Sequence, residues 1–226
     1  MNQNISNILV LDADHLFGRT LASALGAAGH RVTTHAREDS DGAHLVCADI
    51  SARLAEFDAT HGPFNHIIFG LRDFPEPADD LAAILAVERD LATTLDELKA
   101  CAQVLTRRDD SQLWVLLQED SMQYYLPLQN QPMRSRALMA AVKSLAKEVF
   151  CFGIKVNALQ IQPMEEQFDA AVWKQAKHGL KAYALKFKPQ KSSDVAQLLR
   201  SLIEIPRLPL AGMVVPVGIG FPEANI

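Results

Sequence analysis

The sequence predicts a doubly wound α/β domain, a sheet of about seven parallel strands flanked by helices, and three observations predict it. Short apolar runs recur at residues 6–11, 65–70 and 112–117, as strands covered on both faces require. Longer stretches between them place apolar residues at helical spacing. The two kinds of segment alternate to the end of the chain, which is the pattern of a parallel sheet wound on both sides.

Each element follows in order. Residues 6–11 (S-N-I-L-V-L) form the first strand. Leu16, Leu21, Leu25 and Ala28 continue at helical spacing until Gly29 stops the helix, and residues 31–35 form the second strand, completing a βαβ unit. A third strand at 43–47 follows the turn signal at 39–42, and 65–70 is a fourth. Leu91, Leu95, Leu98, Ala102 and Leu105 mark one side of a helix over 81–105, and 112–117 is the fifth strand. Pro132 is well placed to start a helix that runs to Phe152. Leu138, Val142, Leu145 and Val149 form one stripe on it, and the small residues Ala137, Ala141 and Ser144 form a second, which permits close approach of another helix. A sixth strand at 154–161, a lysine-bearing helical stretch at 165–188, a helix at 192–204 and a last strand at 213–217 complete the chain. No composition shift marks a linker and no repeat is visible, so residues 1–226 read as one domain.

Composition bounds the function. A chain of 226 residues, 49% hydrophobic, can bury one large core. Its formal net charge of -5 argues against nucleic-acid binding, which needs a clustered cationic excess. Cys47, Cys101 and Cys151 are scattered and include no C-x-x-C pair, which fits a reducing cytoplasm and neither a disulfide framework nor a metal site. The seven histidines show no metal-ligand spacing. No leader peptide and no apolar span is expected.

Three stretches then carry a resemblance. The first is the strand-turn-helix at 8–37, ending in A-A-G-H-R-V. The second is S-L-A-K-E-V-F-C-F-G-I-K-V-N-A-L at 144–159. The third is S-S-D-V-A-Q-L-L at 192–199 with A-G-M-V-V-P-V-G at 211–218. Together they resemble the short-chain dehydrogenase/reductase family over essentially the whole chain, the second run being the most specific. The resemblance implies a Rossmann-type sheet with a dinucleotide at the carboxyl edge of its strands.

The same comparison of motifs exposes losses. The family's first turn, G-x-x-x-G-x-G, falls on Asp12, Leu16 and Gly18, so only the last glycine is kept. Leu16 adds a side chain where backbone would approach phosphate, and Asp12 adds a carboxylate. At roughly 5 Å and an effective dielectric near 20, each repulsion of that carboxylate by a phosphate charge is worth about 3 kcal/mol. Asp12 as a plain helix cap is the alternative reading. The family's N-N-A-G after the fourth strand is replaced by Phe69-Gly70-Leu71-Arg72. Asp49 matches the position that touches adenine, and Arg37 sits near the position that reads a 2′-phosphate. Both are candidate remnants.

The family's chemistry uses an Asn, a Ser, a Tyr general acid/base and a Lys. Counting back without gaps from Asn157 puts the Tyr position at Gln131 and the Lys position at Ser135. The Ser position falls at Gln118 and the Asn position near Asp90. Glutamine cannot exchange a proton near neutral pH. No Y-x-x-x-K occurs anywhere in the chain, a point independent of alignment.

The expectation is therefore a non-catalytic subunit that binds no cofactor and no metal itself. It would assemble with an active NAD(P)-dependent paralogue through the helices near 81–106 and 132–151, the pair that family members use to form dimers and tetramers. The substrate of that complex would be hydroxyacyl or ketoacyl, CoA-linked or carrier-linked. Two alternatives stand beside it: a divergent stand-alone oxidoreductase using Asp90 or Tyr124, and a ligand-sensing regulator. Ser121, Tyr124 and Tyr125 lie in the loop after the fifth strand, where a packed loop is the plainer reading than a vestigial pocket. Lys174, Lys177, Lys181, Lys186, Lys188 and Lys191 occur with no acid among them. They read as a solvated face or as a contact for an acidic partner or a phosphorylated substrate.

Overall fold

The computed structural model describes residues 5–14, 16–37, 45–46, 49–72, 80–106, 108, 110–127, 132–181 and 187–218. Its elements are β1 (Asn7–Leu11), α1 (Leu16–Ala27), β2 (Arg31–Ala36), β3 (Leu45–Val46), α2 (Ile50–His61), β4 (His66–Phe69), α3 (Asp80–Leu105) and β5 (Gln112–Gln118). They continue with α4 (Pro132–Val149), β6 (Lys155–Ile161), α5 (Ala170–Leu180), α6 (Ser192–Ile203) and β7 (Val214–Val217). Six strands form one open, all-parallel sheet in the order β2-β1-β4-β5-β6-β7, and the two residues of β3 pair with the end of β2.

Alternation along each strand builds the two faces. Leu9, Leu11, Ile67, Phe69, Leu113, Val115, Leu117, Val156 and Ala158 point to the side covered by α2, α3 and α4. Ile8, Val10, Ile68, Trp114, Leu116, Leu159 and Ile161 point to the side covered by α1 and α6. Both sets are buried, which is why the strands read as continuous apolar runs and not as alternating ones.

Several boundaries differ from expectation. The helix α2 was not foreseen: Asp49 caps it by accepting a hydrogen bond from the Ala52 backbone N–H, and Ile50, Leu54 and Phe57 make its buried stripe. Among the described residues of the lysine-bearing stretch, a 3-10 turn covers Glu165–Gln167 and the α-helix runs over Ala170–Leu180, where Asp169 caps its start by accepting from the Val172 N–H; residues 182–186 lie outside the described residues. Among the described residues no helix is long and apolar enough to cross a membrane.

At the amino edge of the sheet His66 opens β4 with its ring buried, and its Nδ1 has no hydrogen-bond partner among the described residues. Burial pushes its pKa from 6.5 down to about 4, with His30 and Lys155 adding to the effect and Asp110 opposing it. The folded state therefore prefers the neutral ring. Its contribution to stability is present above the unfolded pKa of 6.5 and is lost as pH falls toward 4. In urea unfolding at pH 7 and pH 4, wild type is expected to lose about 3 kcal/mol more than His66→Gln. Equal losses in the two proteins would contradict the assignment.

Candidate functional site

In an open parallel sheet, ligands settle outside the carboxyl ends of the strands where the strand order reverses. Here the order reverses between β1 and β4. Asp12 leaves the end of β1, Arg37 the end of β2 and Arg72 the end of β4, while α3 leans over them from the side. Gly70 lets the chain after β4 come this close: a Cβ there would stand 2.4 Å from the Leu11 carbonyl oxygen.

Four charged side chains close a ring at this crevice. Arg37 Nε donates to Asp12 Oδ1 at 3.0 Å, and Arg37 Nη2 donates to Glu97 Oε1 at 2.5 Å. Arg72 Nε donates to Asp12 Oδ2 at 2.5 Å, and Arg72 Nη2 donates to Glu97 Oε2 at 2.6 Å. Each carboxylate receives both guanidiniums, and each guanidinium serves both carboxylates. Glu97 is 1% exposed and Asp12 4%. The Arg72 guanidinium also lies over the Phe69 ring, 4.4 Å from its centroid. Burial alone would lower the Arg72 pKa, but the charges of Asp12 and Glu97 and their hydrogen bonds more than offset it and hold it above its ordinary value.

The ring extends along α3. Arg72 Nη1 donates to Thr94 Oγ1 at 3.2 Å, Thr94 lies 3.5 Å from Asp90 Oδ2, and Arg134 Nε of α4 donates to the same Asp90 oxygen at 2.5 Å. Asp90 is thus an ion-pair partner bridging α3 and α4. What remains open is a cleft of about 580 Å³ lined by Asp12, Asp14, Arg37, Leu71, Arg72, Arg89, Asp90 and Thr93. Its lining carries three formal cations and three formal anions, so it has no net formal charge with which to attract an ionic ligand.

The other expected site residues are placed as follows. Asp12 is not the bare carboxylate the sequence suggested: two arginines balance it, and it takes a positive φ of 51°. That is the left-handed conformation for which a glycine would be the unstrained choice. Leu16 is the first residue of α1. Gly18 serves packing: a Cβ there would meet the Ala13 Cα at 2.6 Å, so the glycine lets α1 lie against the turn. Asp49 is exposed and caps α2; the Ser51 hydroxyl, then the Ala52 amide, hold its carboxyl below the usual range. Gln118 Nε2 donates to the Ile161 carbonyl, and its Oε1 accepts from Gln167. Ser135 is buried on α4. Gln131 lies outside the described residues.

Beyond β5 the loop is packed. Met122 and Leu126 join Trp173, Ala176, Leu180 and Phe187 in a separate apolar cluster that seats α5 on residues 121–126. Gly179 permits the contact, since a Cβ there would meet the Tyr125 ring at 2.8 Å. Tyr124 points outward, 72% exposed. Ser121 Oγ donates to Glu119 Oε2 at 2.5 Å, and burial raises the Glu119 pKa despite that bond.

Sequence reasoning found Asp12, Arg37 and Asp90 but missed Glu97, the most enclosed charge of the group. A glutamate one position before Leu98, within an apolar helical stripe, was the available signal.

No family model matches the chain, and no curated protein matches it in sequence. Solved structures do. A short-chain type dehydrogenase/reductase from Mycobacterium ulcerans superposes with TM-score 0.75 at 16% identity, over 95% of this chain and 88% of that one. A short-chain dehydrogenase from Bacillus anthracis gives TM-score 0.73 at 15% identity, over 94% and 95%. A structure named ribose-5-phosphate isomerase, from Brucella melitensis, gives 0.75 at 16% identity, over 97% and 93%. The chain therefore has the Rossmann-like fold of short-chain dehydrogenase/reductases. At such identities the likeness is one of fold, and proteins bearing different activity names share it.

Proposed function

We propose that this chain is a non-catalytic subunit that assembles with an active NAD(P)-dependent short-chain dehydrogenase paralogue. The single observation behind this reading is the closed ring of Asp12, Arg37, Glu97 and Arg72 at the switch point. A dinucleotide there needs donors free to meet its pyrophosphate and a turn whose backbone can approach it. The guanidinium donors nearest the turn are committed to buried carboxylates, and the turn itself carries the Asp12 side chain. The residues present do not fit the cofactor, and no hydride or proton step is assigned to this chain. The absence of any Y-x-x-x-K supports the same reading from the side of chemistry.

The active paralogue would supply NAD(P) and the acid/base pair, acting on a hydroxyacyl or ketoacyl substrate. This chain would supply the interface. Leu81, Ile84, Leu85 and Leu95 on α3 and Met133 on α4 are all exposed, an apolar surface at the helices expected to pair. Co-expression with a genomically adjacent dehydrogenase, purified through a tag on one partner, is expected to yield both chains. In titrations with NADH and NADPH the isolated chain is expected to produce no saturable change in nicotinamide fluorescence. Separate elution of the two chains, or micromolar NADH binding by this chain alone, overturns the proposal.

A further inference from the structure

The helix α5 has two working faces. Trp173, Ala176 and Leu180, at i, i+3 and i+7, pack inward on Met122, Leu126 and Phe187 and fill the space between α5 and the loop after β5. Ala170, Lys174, Lys177 and Lys181, at i, i+4, i+7 and i+11, run along an adjacent stripe that this packing leaves uncovered. That stripe forms part of the lining of a groove of about 900 Å³. Phe168, Pro189 and the small exposed part of Trp173, which is 4% exposed, also line it, and the Phe168 ring meets the Trp173 ring edge to face with centroids 5.8 Å apart.

The composition of the groove is unlike that of the switch-point cleft. Its walls are apolar and aromatic, and its charges are one-sided: Lys174, Lys177 and Lys181 against the single carboxylate of Glu165. The carboxyl end of α5 contributes about half a negative charge, which two lysines in its last turn and beyond more than offset. The rest of the protein carries the opposite sign, since the chain as a whole is at -5. A volume of this size falls in the range of sites for small organic ligands, roughly 300–1,000 Å³, and such sites combine apolar walls with a few convergent polar groups. A flat acidic protein surface would leave the concavity and its aromatic wall unused.

We propose that this groove binds a small amphiphilic anion, an apolar chain or ring ending in a phosphate or carboxylate. The apolar part lies against Phe168, Trp173 and Pro189, and the anionic end is met by Lys174, Lys177 and Lys181. Ammonium groups on flexible stems suit a phosphate with several charged oxygens, since each acts as a point charge with three donors. The site is independent of the subunit role proposed above, because it uses neither the switch point nor α3 and α4.

Trp173 makes the test direct. Of the two tryptophans, Trp114 is sealed in the sheet, whereas Trp173 lines the groove with Nε1 held by the Glu165 carbonyl. Intrinsic fluorescence of the full chain would be titrated with octyl phosphate, decanoate and decanoyl-CoA, and with inorganic phosphate and octyl glucoside below its micellar concentration. Saturable change is expected with the amphiphilic anions and none with phosphate alone or the neutral amphiphile. The ranking among decanoate, octyl phosphate and decanoyl-CoA distinguishes a free acid from a phosphate ester. The variant Lys174→Glu/Lys177→Glu/Lys181→Glu, with its changes on solvent-facing positions, is expected to bind about tenfold more weakly. The signal should vanish in Trp173→Phe, with binding then followed by calorimetry. No saturable response to any of the three amphiphilic anions, equal affinity in the triple variant, or an equal response to octyl glucoside would each overturn the proposal.

Discussion

Replacing Arg72 by methionine is expected to lower the free energy of unfolding by about 3–5 kcal/mol, measured by urea denaturation at neutral pH. Methionine keeps most of the aliphatic stem and its contact with Phe69, so the loss isolates the guanidinium. Asp12 and Glu97 stay buried with only Arg37 between them, and Arg37 is the more exposed of the two arginines, at 32% against 11%. Two desolvated carboxylates sharing one partly solvated cation is the arrangement that makes breaking a buried pair so unfavourable. The sign of the coupling gives a second, sharper readout. In Arg72→Met combined with Asp12→Asn, one cation and one anion leave together and Arg37 remains paired with Glu97. Asparagine also tolerates the left-handed backbone at position 12. About half of the single-variant loss, about 2 kcal/mol, should be recovered, and the coupling energy exceeds this recovery by the cost of Asp12→Asn alone. Additive losses would mean that the four groups do not act as a ring.

The ring also shows what kind of information the sequence carries and what kind it does not. Strand positions were legible because burial on both faces leaves an uninterrupted apolar run, as in β1, β4 and β5. Gly18, which the sequence offered as the last glycine of the resemblance's first turn, has a physical reason in the fold: α1 cannot lie against Ala13 without it. The pairing of Arg72 with Asp12 was not legible. The two residues are sixty positions apart and meet only because β4 lies beside β1. Read along the chain, Asp12 is an unpaired charge that repels phosphate. Read across the sheet, it is half of a neutral lattice, and the obstacle to a ligand becomes occupation of the donors in place of repulsion. The helix α2 was missed for a more local reason. Its cap Asp49 had a competing reading as an adenine contact, and its apolar stripe is only Ile50, Leu54 and Phe57 amid charged neighbours. The α5 region was over-extended because a lysine stripe at helical spacing does not reveal where the helix stops.

Placing a lysine at position 135, where the resemblance would put the lysine of an acid/base pair, is expected to be opposed by the fold itself. Ser135 is 2% exposed, next to the also buried Arg134 and one turn before Leu138. Lysine there puts four methylenes and an ammonium where a hydroxymethyl group sits, a net addition of three heavy atoms. Overpacking of this kind is worth about 1–3 kcal/mol. The new cation would also sit in the buried start of α4, where Asp90 is already engaged by Arg134. We expect Ser135→Lys to lower the unfolding free energy by about 3–5 kcal/mol in total. The double variant Gln131→Tyr/Ser135→Lys should be no more stable and should still fail to bind NADH, because the donors at the switch point remain engaged. A Ser135→Lys protein of wild-type stability would show that the start of α4 is roomy and solvated, as a working lysine requires, and the reading of this chain as closed to the family's chemistry would then lose its packing argument. The two variants probe different layers of one domain: Arg72 tests whether the four charges at the crevice act as a ring, and Ser135 tests whether the start of α4 is closed by packing.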